Sequence, residues 1–161
     1  MRRFLLALLA LCWIIPAQAV TLLNTPITTA VTAVVTPSFQ IRPGPGGQFL
    51  PTQMSLQGTF TYTSGGTTAD AWVQTSFDGG VTWCDVANFH FLLANARLFM
   101  NVSSVTSIVA TVTPTDGTLA ANTATPGVFG TLWRVKYTTT GTYVGTTMRI
   151  DAITSGLTAL P

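Results

Sequence analysis

The sequence predicts an all-β fold, and three observations predict it. The chain of 161 residues is 47% apolar and only 7% charged, with five aspartates and no glutamate to support exposed helix faces. Thirty residues are threonine, whose branched Cβ suits a pleated strand better than a helix turn. Fourteen glycines and nine prolines interrupt the apolar runs at intervals that match short strands joined by turns. A single β-sandwich of jelly-roll type, with about eight antiparallel strands, meets these constraints.

The first nineteen residues stand apart. Arg2 and Arg3 precede an unbroken apolar run over 4–15, and Ala17, Gln18 and Ala19 form a small-x-small triplet. A spanning helix needs roughly 18 apolar residues, so this shorter run reads as a secretory signal helix with cleavage expected before Val20. Cys12 follows Leu11 where a bacterial lipobox has a small residue, which weighs against lipidation. Arg2 and Arg3 account for the whole formal charge of +2, so the mature chain is neutral: Arg42, Arg97, Arg134, Lys136 and Arg149 balance Asp70, Asp78, Asp85, Asp116 and Asp151. No basic stripe remains to displace counterions from phosphates, which excludes nucleic acid as a partner. Cys84 is then the sole cysteine, so no intrachain disulfide is expected and the core must hold the fold.

Residues 20–36 alternate weakly, with Val31, Ala33 and Val35 on one side, which suits a strand or an extended arm, and Pro43-Gly44-Pro45-Gly46-Gly47 then breaks any regular element. The expected plan is a signal peptide over 1–19, an N-terminal arm with a Pro/Gly linker over 20–52, and a β-sandwich over 53–161. The cleanest strand opens the sandwich, where Met54, Leu56, Phe60 and Tyr62 alternate with Ser55, Gln57, Thr59 and Thr61. Further strands are expected over 69–77, 83–92, 97–102, 105–113, 132–139 and 146–153. In the penultimate one Trp133, Val135 and Tyr137 share the core face, and Arg134 and Lys136 share the other. Residues 114–130 form the longest expected loop.

The most specific motif is Ser76-Phe77-Asp78-Gly79-Gly80-Val81-Thr82-Trp83. It resembles the Asp box, a hairpin signature of the form Ser-x-Asp-x-Gly-x-Thr-Trp. A turn aspartate accepts backbone N–H groups, glycine tolerates positive φ, and the tryptophan packs under the turn toward the core. Ser76, Asp78, Gly80, Thr82 and Trp83 are therefore expected to be structural. Trp72 and Asp116 are the candidate binding residues, as an aromatic platform and a loop carboxylate.

No catalytic constellation is expected. His90 is the single histidine, and no nucleophile-elbow pattern or second motif places a partner beside it. One histidine and one cysteine cannot close a zinc site, and calcium at Asp78 or Asp116 would lack an aspartate cluster, so neither metal nor cofactor is expected. Asn101-Val102-Ser103 is a glycosylation sequon, relevant in a eukaryotic secretory pathway.

The run from Ala71 to Gly80 with Trp83, Asp85, Phe89 and Phe91 is similar to small β-rich proteins encoded in tailed-phage and prophage genomes. The stretches around Thr113-Pro114-Thr115-Asp116-Gly117 and Trp133-Arg134-Val135-Lys136-Tyr137, ending in Arg149-Ile150-Asp151-Ala152, are similar again. The resemblance implies a non-enzymatic virion protein of the head-decoration type, docked on a capsid-like lattice and assembled with itself as a trimer or a symmetric ring. The signal-like start supports an alternative, an exported cell-surface or carbohydrate-binding module in the periplasm or medium. Self-association follows from composition too, because a neutral chain with one lysine has few charges to hold copies apart.

Overall fold

The computed structural model describes residues 19–40 and 52–154, and among them every regular element is a strand. The expected signal helix and the Pro/Gly linker lie outside the described residues. In chain order the strands are β1 (Ala19–Ile27), β2 (Val31–Val35), β3 (Phe39–Gln40), β4 (Gln53–Thr61), β5 (Ser64–Gly65) and β6 (Thr68–Ser76). There follow β7 (Cys84–Phe91), β8 (Ala96–Ser103), β9 (Leu132–Thr140), β10 (Tyr143–Val144) and β11 (Thr146–Thr154).

One main sheet has the order β1, β11, β4, β8, and the other β2, β9, β6, β7, with β3 continuing along β9 where β2 leaves it, and β5 pairs β10 in a small two-stranded sheet. All the ladders are antiparallel, and four of them nest: β1 with β11, β2 with β9, β4 with β8, β6 with β7. That nesting is the winding of a jelly roll, two sheets folded over one another from a doubled-back chain. The all-β sandwich expected from threonine content and turn spacing is what the chain forms.

Period-two alternation builds the core. On β4 Met54, Leu56 and Phe60 are buried while Gln53, Ser55 and Thr61 are exposed, and β11 alternates likewise through Met148, Ile150 and Ala152. Val73, Val86, Phe89, Phe91, Trp133 and Val135 answer from the facing sheet. Phe60 stacks on Phe91 with centroids 5.0 Å apart, and Phe89 lies 6.3 Å beyond. Gly58 makes this stack possible, since a Cβ there would stand 2.7 Å from a ring carbon of Phe89.

Two expectations need correction. Residues 19–40 are not an arm: β1 and β2 are full members of the two sheets, and Leu22, Leu23 and Ile27 lie in the core. Their alternation is weak because register shifts between Thr21 and Leu23 and between Val31 and Val34 interrupt the period of two. The strand expected over 105–113 does not form. β8 ends at Ser103, whose carbonyl accepts the N–H of Gly127, and residues 105–113 pair with no strand. Their β-branched residues had the propensity for a strand but no neighbour to pair with.

The Gly58 contact yields a test. Gly58→Ala is expected to destabilise the fold by about 1 to 3 kcal/mol through overpacking, measured by urea unfolding. Adding Phe89→Leu should recover part of that loss, and a double variant no better than Gly58→Ala would refute the steric account.

Candidate functional site

The hairpin between β6 and β7 closes on itself. Asp78 Oδ1 accepts the N–H of Thr82 at 2.8 Å and the hydroxyl of Ser76 at 2.8 Å. Ser76 Oγ in turn accepts the N–H of Gly80 at 2.9 Å, and the indole N–H of Trp83 donates to the Gly80 carbonyl at 2.9 Å. Gly79 and Gly80 both have positive φ, the turn geometry for which glycine is suited. The Thr82 backbone N–H, with help from the Thr82 and Ser76 side chains, pulls the Asp78 carboxyl from 3.8 down to about 2. The five hairpin residues singled out in the sequence therefore meet in one turn. Trp83 departs from its expected core position: it is half-buried on the outer face, with the Arg134 guanidinium 4.1 Å above its ring. Trp133 is the tryptophan that fills the core.

The outer face of the second sheet carries a polar lock. Asp85, fully buried on β7, accepts the N–H groups of Gly117, Thr118 and Leu119 at 2.8 to 3.2 Å, and a Gln74 amide N–H at 2.7 Å. Gln74 donates again to Asp116 and accepts from Arg134 Nε at 2.7 Å, while Lys136 and Arg134 both reach Asp116 Oδ1. Burial pushes the Asp116 carboxyl up, but the hydrogen bonds from Lys136 and Gln74 and the two nearby cations outweigh it and hold the group below its usual range. Trp72 donates its indole N–H to the Leu119 carbonyl at 3.1 Å. Both candidate binding residues thus lie on this face, and both are engaged in holding the segment over 115–125.

That segment is a strap along β7. Asp85 N–H donates to Thr115, Asn88 N–H to Thr123, and Thr125 N–H to Val86, with a bridge between Ala87 and Ala124. Asn122, at φ 54, turns its side-chain oxygen to the N–H of His90. His90 Nδ1 also lies 2.8 Å from Asp70 Oδ1, across the strand pair. Among the described residues no hydroxyl or thiol is hydrogen-bonded to that ring, and no three His, Cys, Asp or Glu side chains gather as metal ligands.

At the hairpin end the surface turns apolar. Phe77 is 68% exposed, Val81 84% and Val109 96%. Beside them Phe77, Ile108, Val112 and Val128 line a cleft of about 560 Å³ with Cys84 at its base, and burial pushes the Cys84 thiol pKa up. A second groove, of about 780 Å³, runs between β1 and the β2 and β3 edge over Leu22, Met54 and Tyr137. Sequence reasoning missed the Asp85 lock and the apolar end. A carboxylate flanked by Cys84, Val86 and Ala87 within a strand was the available signal for the first, and the second arose from the strand that does not form. Against known protein families, curated proteins and solved structures, the chain has no match.

Two outcomes test this geometry. Asp85→Ala removes the acceptor of the Gly117, Thr118 and Leu119 N–H groups and of one Gln74 amide bond, and is expected to cost at least about 2 kcal/mol, with faster hydrogen exchange at Gly117 to Leu119. Lys136→Ala, at a partly exposed ion pair, should cost under about 1 kcal/mol; equal losses would contradict the lock. Asp78 has a folded pKa below its unfolded one, so its stabilisation is complete above about pH 4 and disappears as pH falls through about 2. The melting-temperature gap between the native chain and Asp78→Asn should therefore shrink as pH is lowered across that window.

Proposed function

We propose that the chain is a non-enzymatic structural module that seats on a repeating protein lattice, of the head-decoration type that the tailed-phage resemblance implies. The observation that carries the reading is the apolar end surface. Phe77 and Val81 are exposed on the hairpin that the Asp78 turn fixes, and Val109 is exposed on the unpaired segment over 105–113, which together have the character of a docking patch. Burying uncharged side chains against a lattice has no charge desolvation penalty. Jelly rolls occur in viral capsid and lectin domains alike, an analogy of fold that is compatible with this reading and with its alternative.

The alternative, an exported binding module, draws on one feature of the fold. Cleavage before Val20 would remove a single residue of β1, Ala19, and leave its buried residues Leu22, Leu23 and Ile27 in place. A sugar platform at Trp72 would have to use the ring face alone, because its indole N–H is already bonded to the Leu119 carbonyl.

Mass spectrometry of virus particles released by the source cells separates the two. The chain is expected in purified particles, and Phe77→Asp or Val81→Asp should lower its incorporation by about tenfold or more without lowering its melting temperature. Recovery only from the periplasm or medium, with Val20 as the first residue, would overturn the lattice reading in favour of export.

A further inference from the structure

A sandwich has four sheet edges, and three of them are defended here. The β7 edge is covered by the strap over 115–125. The β1 edge carries a register shift and Pro26, and the β2 and β3 edge carries a register shift, Ala33 at φ 55, and Pro37. Bulges and prolines are what proteins place on edges that must not pair. β8 has neither. Its eight residues run in unbroken register on β4, without proline or lysine.

The groups that this edge offers can be identified. Ser104 N–H pairs with Thr52 on the β4 side, whereas the Ser103 carbonyl turns away to Gly127. Alternation along an antiparallel ladder then aims the N–H and C=O of Arg97, Phe99 and Asn101 away from β4. No described residue bonds them. On the outer face the same three side chains are exposed, Phe99 by 68%. On the inner face Leu98 and Met100 point toward the core yet are only half covered. Among the described residues Arg97 is also the one charged side chain with neither an ion pair nor a hydrogen bond.

We propose that the β8 edge is a self-association surface, and that its occupant is β8 of a second copy, paired antiparallel about a two-fold axis at Phe99. The register is self-complementary. Phe99 meets Phe99 of the second copy, and each Arg97 lies opposite Asn101 of the second copy, whose carboxamide oxygen can accept from the guanidinium. The two Arg97 side chains are four residues apart along the paired strands, about 13 Å, beyond the Debye length of roughly 8 Å at physiological salt. Three residues on each side exchange their backbone bonds, and the two four-stranded sheets become one of eight. An isologous pairing of this kind closes at two copies, which replaces the trimer suggested by resemblance. It does not depend on the lattice reading, since the side chains at Phe77 and Val81 are not those at Phe99.

Sedimentation equilibrium of the purified chain at micromolar concentration is expected to give twice the mass of one copy. Phe99→Lys, which sets like charges face to face, should give one copy with an unchanged far-UV spectrum, and Val34→Lys on the bulged β2 edge should remain a dimer. Hydrogen exchange of the unaltered chain supplies a readout that needs no variant: the amides of Arg97, Phe99 and Asn101 should slow at least tenfold on going from dilute to dimeric samples. A single-copy mass at every concentration, a trimer, or a dimer that survives Phe99→Lys would each overturn the proposal. So would slow exchange at those three amides in a single-copy sample, which would assign the edge to another segment of the same chain.

Discussion

The buried carboxylate of Asp85 is the constraint on which the second sheet depends. A charge taken out of water must be met by donors, and at Asp85 four are supplied, three of them consecutive backbone N–H groups of the strap. Their positions fix the path of residues 117–119, and with that path fixed the rest of the strap falls into pairing distance of β7. Gln74 passes the constraint on, because the amide that donates to Asp85 also donates to Asp116, while its oxygen accepts from Arg134. Arg134 stacks on Trp83, and Trp83 closes the Asp78 turn. A continuous chain of hydrogen bonds, ion pairs and one cation–π contact thus links the strap to the hairpin across the sheet.

The same network explains how a chain with so few charges uses them. Asp70, Asp78, Asp85 and Asp116 each fix a turn, a strap or a cross-strand pair, and Arg149 is held by Asp151 and Thr21 on the outer face of the first sheet. Charges engaged in this way do little to repel another protein or to keep copies apart. The exposed faces are left to threonine, serine and glutamine, with aliphatic and aromatic side chains at the hairpin end and on β8. Contact surfaces of this chain are therefore set by shape and apolar area, and salt should influence them weakly.

How much was legible in the sequence follows from where one rule acts alone. On β4 and β9 alternation decides the structure, and Met54, Leu56, Phe60, Trp133 and Val135 are found on the face their phase requires. The Asp78 turn was legible because its bonds are local, between residues at most four apart. β1 and β2 were obscured by bulges, which shift the phase without changing the composition. Residues 105–113 misled in the opposite sense, since propensity is counted per residue and pairing needs a neighbour. Asp85 was the least legible, because three of its four donors come from residues more than thirty positions away and nothing local announces them.

Nested pairing has a consequence for how such a chain comes together. β6 and β7 are joined by a short hairpin, while β1 finds its partner in β11, with Ala19 opposite Ile153. Loop closure grows costlier with separation, so local ladders form first and the outermost pair last. Leu22, Leu23 and Ile27 therefore stay exposed until β11 is available, and the first sheet lacks its β1 edge until then. The register shift and Pro26 on β1 protect that interval as well as the finished fold, because a strand that waits for its partner must not pair with a neighbouring chain. β8 faces no such wait. β4 precedes it in the chain, so its inner side is paired early and only its outer side remains, straight and unblocked, at the stage when whole copies meet.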